Sequence, residues 1–241
     1  MSSSDNAAAP SLRRPRGRPR VNPVSDHPVR TQAERSEDMR RRIVDAAAEV
    51  MGLHGYAGFR TAEVSRVAGV SRGAQLHHFP TKDQLVVATL RHVYGEALER
   101  SKARAAAIDP GRDILDQLID DARDFFFSRH FLVSVDIVVS AATDPSVRDE
   151  VLEIARTARL PVEVAWNRAL VEAGIPERTA PGLLSIVLGI VRGQALRKFW
   201  DNDPKKDEAQ FDLLRDMVRT YIAAKLPAEP APDRKPRNKK T

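Results

Sequence analysis

The chain has 241 residues, 42% of them apolar, which is enough for one or two domains with a real core. It contains no cysteine, so disulfides, thiolate zinc sites and cysteine nucleophiles are excluded together, and a reducing compartment suits it. Its net charge of +6 sits at the ends: residues 1–30 carry six Arg against two Asp, and residues 227–241 carry five Lys or Arg against Glu229 and Asp233. Such arms indicate contact with nucleic acid or another polyanion, or serve solubility alone. The N-terminus lacks the apolar stretch of a signal peptide, and the richest apolar run, Leu183 to Val191, stops at Arg192. A cytoplasmic protein without membrane contact is expected.

Residues 1–30 are rich in Ser, Ala, Pro and Arg without apolar periodicity and are expected to form a disordered basic arm. Within them, Pro15-Arg16-Gly17-Arg18-Pro19-Arg20 resembles the AT-hook, an extended segment that lies along a narrow minor groove. Gly17 allows close backbone approach, Pro19 holds an extended path, and Arg16 and Arg18 suit the negative potential of A·T-rich DNA. A generic basic leader is the competing reading. Order is expected from Thr31, where Thr31-Gln-Ala-Glu34 has the form of a capping box. The helix then runs to about Leu53 with Ile43, Ala47, Val50, Met51 and His54 on one face. Arg40, Arg41 and Arg42 fall outside most of that face, where they either meet phosphates or are solvated. Gly52, Gly55 and Gly58 break the helix, and Tyr56 and Phe59 read as core plugs.

Thr61 to Phe79 reads as two short helices joined by a tight turn. Thr61 suits an N-cap, Val64, Val67 and Ala68 form an apolar stripe, Gly69 stops the helix, and Ser71 caps the next. In the second helix, Ala74 and Phe79 dock inward, while Arg72, Gln75, Leu76 and His77 are left able to face outward. This is the helix-turn-helix pattern, whose second helix enters the DNA major groove; an ordinary helical hairpin is the plainer alternative. Next, Pro80-Thr81-Lys82-Asp83-Gln84 matches a second capping box and opens a helix carrying Val86, Leu90, Val93 and Ala97. Thr81 and Lys82 therefore lie at a helix N-terminus suited to a phosphate.

Residues 39 to about 95 resemble the DNA-binding domain of the TetR family of transcriptional regulators. The resemblance rests on Arg42-Ile-Val-Asp-Ala-Ala-Ala48, Gly55-Tyr56, Val64 through Ala68, Gly69-Val-Ser-Arg-Gly73, His77-His-Phe79 and Lys82-Asp-Gln-Leu85, in order and spacing. It implies DNA contacts at Thr61, Arg72, Gly73, Leu76, His77 and Lys82. One departure matters: before His-His-Phe the family usually places Leu-Tyr, whereas this chain has Gln75 and Leu76. Leu76 keeps an apolar contact but loses the hydroxyl, and Gln75 can pair with adenine N6 and N7 if it faces the groove. His77 and His78 lack the spacing and third ligand of a metal site, and no nucleophile adjoins them. No metal, cofactor or catalytic residue is expected.

In the second half, Asp109-Pro110 fits an N-cap with Pro at the first helical position. Asp144-Pro145 repeats the signal and opens a long helix to Gly174, kinked by Pro161. No strand pattern competes, so an all-α protein is expected. The resemblance implies that these helices enclose an effector pocket, with Phe126 and Trp166 among its lining and His130, Asp136 and Asn167 as polar anchors. Plain core aromatics and locally satisfied polar groups are the alternative. A buried Asp136 must be paired or protonated, and a cationic effector is one solution. Helices from about Pro181 to Trp200 and Lys206 to Lys225 read as a dimer face: Gly189 and Gly193 permit close approach, and Phe211, Leu214, Val218, Tyr221 and Ile222 supply apolar surface.

The expected organisation is a disordered arm at 1–30, a helix-turn-helix domain at 31–80, a helical effector and dimerisation domain at 81–225 and a disordered tail at 226–241. The expected partners are double-stranded operator DNA, a small-molecule effector and a second copy of the chain. The resemblance implies a ligand-responsive repressor, released from a palindromic operator by its effector. An architectural DNA-binding protein that ignores small molecules is the first alternative. A small-molecule enzyme or carrier is the second, and no nucleophile, metal or phosphate-loop constellation supports it.

Overall fold

The structure is a computed structural model and describes residues 31–225. Among them the chain forms ten α-helices and no strand. In order these are α1 (Gln32–Gly58), α2 (Thr61–Ala68), α3 (Arg72–His78), α4 (Lys82–Ala106), α5 (Ile114–Phe126), α6 (Arg129–Ala141), α7 (Arg148–Thr157), α8 (Leu160–Glu172), α9 (Ala180–Arg197) and α10 (Pro204–Lys225).

The opening of α1 is the capping box read from the sequence: Thr31 Oγ1 accepts from the Glu34 N–H, and the Glu34 carboxylate accepts from the Thr31 N–H. Ile43, Val44, Ala47, Val50 and Met51 then form a buried stripe. Full burial of each larger apolar side chain stabilises by roughly 1.5–3 kcal/mol. The helix ends later than expected, and His54 is exposed rather than on the apolar face. Gly55 is the true break. Its φ of 66° and ψ of 174° lie in a region that only glycine occupies readily, so the chain turns there before Phe59 plugs the core.

The described residues pack around two apolar cores. One joins α1, α2, the first half of α4, one face of α6, and α7; the other joins α5, α8, α9 and α10. Helices α4 and α6 contribute to both: Leu90, Val133 and Ile137 lie in the first, Ala105 and Phe131 in the second. These two helices therefore connect the helix-turn-helix mechanically to the larger bundle.

Four expectations on helix starts need correction. Asp144 and Pro145 open only a turn, in which Asp144 Oδ1 accepts from the Ser146 N–H, and α7 begins later at Arg148. Asp109 and Pro110 form a turn, in which Asp109 Oδ1 accepts from the Gly111 N–H, and α5 begins later with Asp113 as its cap. Pro161 does not kink a long helix. It stands in the first turn of a separate helix, where its missing N–H costs nothing, so α7 and α8 are distinct. Thr61 is the first residue of α2, and Arg60 is the cap position, without a side-chain bond.

On α10, Phe211, Leu214 and Val218 are buried within the chain's own core rather than offered to a partner. The exposed large apolar positions of α10 are Leu213, Met217 and Tyr221, and α9 likewise exposes Ile186 and Ile190. Gly189 and Gly193 have nothing within 4 Å of the place a Cβ would take. No described helix is long and apolar enough to cross a membrane.

Candidate nucleic-acid interface and effector cavity

The turn between α2 and α3 is built by backbone geometry. Gly69 takes the left-handed conformation, φ 63° and ψ 38°; its N–H returns to Arg66 O and the Val70 N–H to Ser65 O. That pattern satisfies the last carbonyls of α2. Arg42 completes it by donating Nη2 to Ala68 O at 2.6 Å. Ser71 Oγ accepts from the Ala74 N–H at 3.1 Å and starts α3. Behind α3, Phe79 is buried and the Arg40 guanidinium lies over its ring at 4.7 Å. What α3 leaves to solvent is Arg72, Gly73, Leu76 and His77. Positions i, i+1, i+4 and i+5 share one helix face, so this set can enter a groove together. Burial, with His77 and Arg40 nearby, lowers the pKa of His78. That histidine therefore favours the neutral form behind the face. Thr81 caps α4 by accepting from the Gln84 N–H, and the exposed Lys82 places Nζ 4.9 Å from the Tyr56 ring centroid.

The second feature is a cavity of about 940 Å³ lined by residues of α4 to α9. One wall is aromatic: Phe125, Phe126 and Phe131 meet one another in tilted or edge contacts with centroids 5.0 to 5.7 Å apart. Against another wall, the buried Asp121 carboxylate accepts from Ser101 Oγ and from Trp166 Nε1, the latter at 2.8 Å. Burial raises the Asp121 pKa, partly offset by these two donors and by Arg104. Tyr94 on α4 is likewise raised by burial.

Residues 43–89 match the family described as bacterial regulatory proteins, tetR family. The chain is 41% identical over 187 residues to the HTH-type transcriptional regulator CymR of Pseudomonas putida, spanning 78% of this chain and 90% of that protein. The chain belongs to the TetR family. The multidrug binding protein EbrR, solved in complex with imidazole, is 26% identical, with a TM-score of 0.52 over 79% of this chain and 97% of EbrR. A transcriptional regulator from Rhodococcus sp. Rha1, also 26% identical, gives a TM-score of 0.60 over 76% of this chain and 96% of that one. The protein is therefore a DNA-binding transcriptional regulator and not an enzyme, with the family's helix-turn-helix domain and helical ligand-binding domain.

Within this TetR-family frame, the residues singled out from sequence divide by placement. Arg72, Gly73, Leu76, His77, Thr81 and Lys82 are exposed at the helix-turn-helix side, and Thr61 is partly exposed at the start of α2. Gln75 is not at the surface: it is 1% exposed and donates Nε2 to Phe79 O at 3.1 Å. Its i, i+4 relation to Phe79 turns it inward, so it cannot read adenine in this conformation. Arg16 and Arg18 lie outside the described residues.

The five expected effector residues are not brought together. Phe126 lines the cavity, and Trp166 stands just behind it, bonded to Asp121. His130 lies apart from the lining, 4.0 Å from Glu96. Asp136 is also outside the lining, because its carboxylate bonds the Tyr56 N–H and Ser140 Oγ. Asn167 borders a separate hollow of about 400 Å³ with Ala180 and Pro181, and its Oδ1 is buried without a hydrogen bond. Sequence reading missed Asp121, Ser101 and Arg192 in the lining; an Asp among apolar residues on amphipathic α5 was the available signal for the first.

Proposed function

We propose that this regulator is a homodimeric repressor that leaves a palindromic operator when a small molecule enters the cavity between α4 and α9. The observation that carries the proposal is the position of α4 and α6: both line the cavity and both enter the core beneath the helix-turn-helix. A ligand that spreads these helices changes the distance between two recognition helices, which must be about 34 Å apart to meet successive major grooves. The two sites are then coupled, and operator DNA weakens effector binding by the same factor. The ligand-bound form of EbrR supports a ligand role for the corresponding helical domain.

In this reading Arg72, Gly73, Leu76 and His77 meet the major groove, Thr61, Thr81 and Lys82 meet the phosphate backbone, and Arg16 and Arg18 reach a minor groove. The effector and dimerisation domain spans 81–225, after a DNA-binding domain at 31–80. The exposed Ile186, Ile190, Leu213, Met217 and Tyr221 of α9 and α10 form the two-fold interface, and the cytoplasm is the site of action.

Fluorescence anisotropy tests this with DNA upstream of the protein's own gene against a shuffled duplex at near-physiological salt. The full chain is compared with one shortened to start at Thr31. Sequence-dependent binding that survives removal of the arm is expected. Binding that vanishes with the arm, or that ignores sequence, overturns the proposal in favour of an architectural role.

A further inference from the structure

The charges around the cavity are almost completely matched within the protein. Arg104 bonds Asp124, Arg159 lies 3.2 Å from Glu163, Arg156 lies 2.6 Å from Glu153, and Arg100 lies 3.8 Å from Glu96. The Asp121 carboxylate is taken by Ser101 and Trp166, with Arg104 3.5 Å away. Arg192 of α9 is the exception. It lines the cavity with its guanidinium 5.2 Å from the Phe126 ring centroid, and no carboxylate among the described residues lies within ion-pair distance of it. The side chain is exposed, so it is free to turn toward a ligand without breaking an existing pair. Tyr94, close enough to feel the Arg192 charge, lies on the same lining, but its hydroxyl is already hydrogen-bonded to Ser134.

We infer that the cavity binds an amphipathic monoanion: its acidic group meets Arg192, and its apolar, ring-sized body rests on Phe125, Phe126 and Phe131. This rests on the reading of the cavity as the effector site. The apolar wall excludes strongly hydrated dianions, since their second charge has no uncompensated partner. A cation is disfavoured as well. It would lie near Arg192, and the three lining carboxylates are already engaged: Asp124 with Arg104, Glu163 with Arg159, and Asp121 with Ser101, Trp166 and Arg104, with burial holding Asp121 toward its neutral form. A guanidinium with no partner to surrender gains a charge-assisted bond outright, whereas the other cavity arginines must give up one to form one.

Isothermal titration calorimetry of the full-length protein with three ligands sharing one ring system tests this: 2-naphthoate, 2-naphthamide and 2-naphthylmethylammonium. The anion is expected to bind about tenfold or more tighter than the amide, and the ammonium most weakly. Arg192→Gln removes the preference for the anion and leaves amide affinity unchanged. Arg100→Gln, which removes the same formal charge from an arginine that already has a partner, keeps the preference. Equal affinities for anion and amide, tightest binding of the ammonium, or an intact preference in Arg192→Gln overturns the anion assignment while leaving the cavity as a ligand site. Failure of all three ligands to bind overturns both readings.

Discussion

The Asp136 carboxylate accepts a hydrogen bond from the Tyr56 backbone N–H at 2.6 Å, across 80 positions in sequence. The bond holds the turned end of α1 against α6 just where Gly55 leaves helical geometry. On α6, Val135 and Val138, one and two positions from Asp136, line the cavity. One helix thus touches both the cavity and the last turn before the helix-turn-helix. Asp136→Ala removes a charged acceptor from a partly buried donor, which costs about 1.5–3 kcal/mol. Urea unfolding checks the loss. Hydrogen exchange at the Tyr56 amide checks its origin: that amide exchanges faster in the variant, and unchanged protection would refute the bond's role.

Two glycines differ in what they require, and the difference is measurable. Gly55 combines φ 66° with ψ 174°, and an added Cβ would lie 3.2 Å from Asp136 Oδ2. Gly69 is in the left-handed helical region, where its Cβ would meet only the Arg42 guanidinium at 3.4 Å. Gly55→Ala is therefore expected to destabilise by up to about 3 kcal/mol. Gly69→Ala costs about 1–2 kcal/mol. Thermal or urea unfolding of the two variants ranks them, and the reverse order would contradict this account.

The features legible in the sequence were those set within a few residues. Thr31, Ser71 and Thr81 cap helices because each bonds an N–H three positions on, and Gly69 ends α2 because only its own backbone must turn. The cavity was not legible in the same way. Its polar wall depends on Trp166 meeting Asp121 at a separation of 45 positions, and Asp136 was drawn out of it by Tyr56. Pro161 was misread because proline suits a helix's first turn as well as it breaks an interior, and local sequence does not distinguish them.

Gln75 supplies a direct test of orientation on α3. Its Nε2 is bonded to Phe79 O, and its Oε1 is buried without a partner. Gln75→Leu loses the bond but also removes the orphaned oxygen, so its net effect on stability should stay within about 1 kcal/mol. Operator base preference should be unchanged. Arg72→Ala, by contrast, should weaken operator binding by about 1–3 kcal/mol in a protein that melts as the parent does. Competition anisotropy with single-base operator variants decides between them. A changed base preference in Gln75→Leu would show that this side chain turns outward on DNA.

Asp121 predicts a pH dependence of stability. Burial raises its folded pKa above the ordinary carboxylate value, despite the donors Ser101 and Trp166. The folded state therefore binds this proton more tightly than the unfolded chain does. Between about pH 4 and the raised folded value, the folded state holds more protons, so its stability falls as pH rises. Above the folded value the cost is fully present. Asp121→Asn removes the titration and keeps an oxygen that accepts from Ser101 Oγ and Trp166 Nε1, while Arg104 retains Asp124. Urea unfolding of both proteins from pH 4 to pH 7.5 should show the variant gaining on the parent as pH increases, because other carboxylates cancel in the difference. A difference that stays flat over this range would mean that the Asp121 carboxyl titrates alike in folded and unfolded chains.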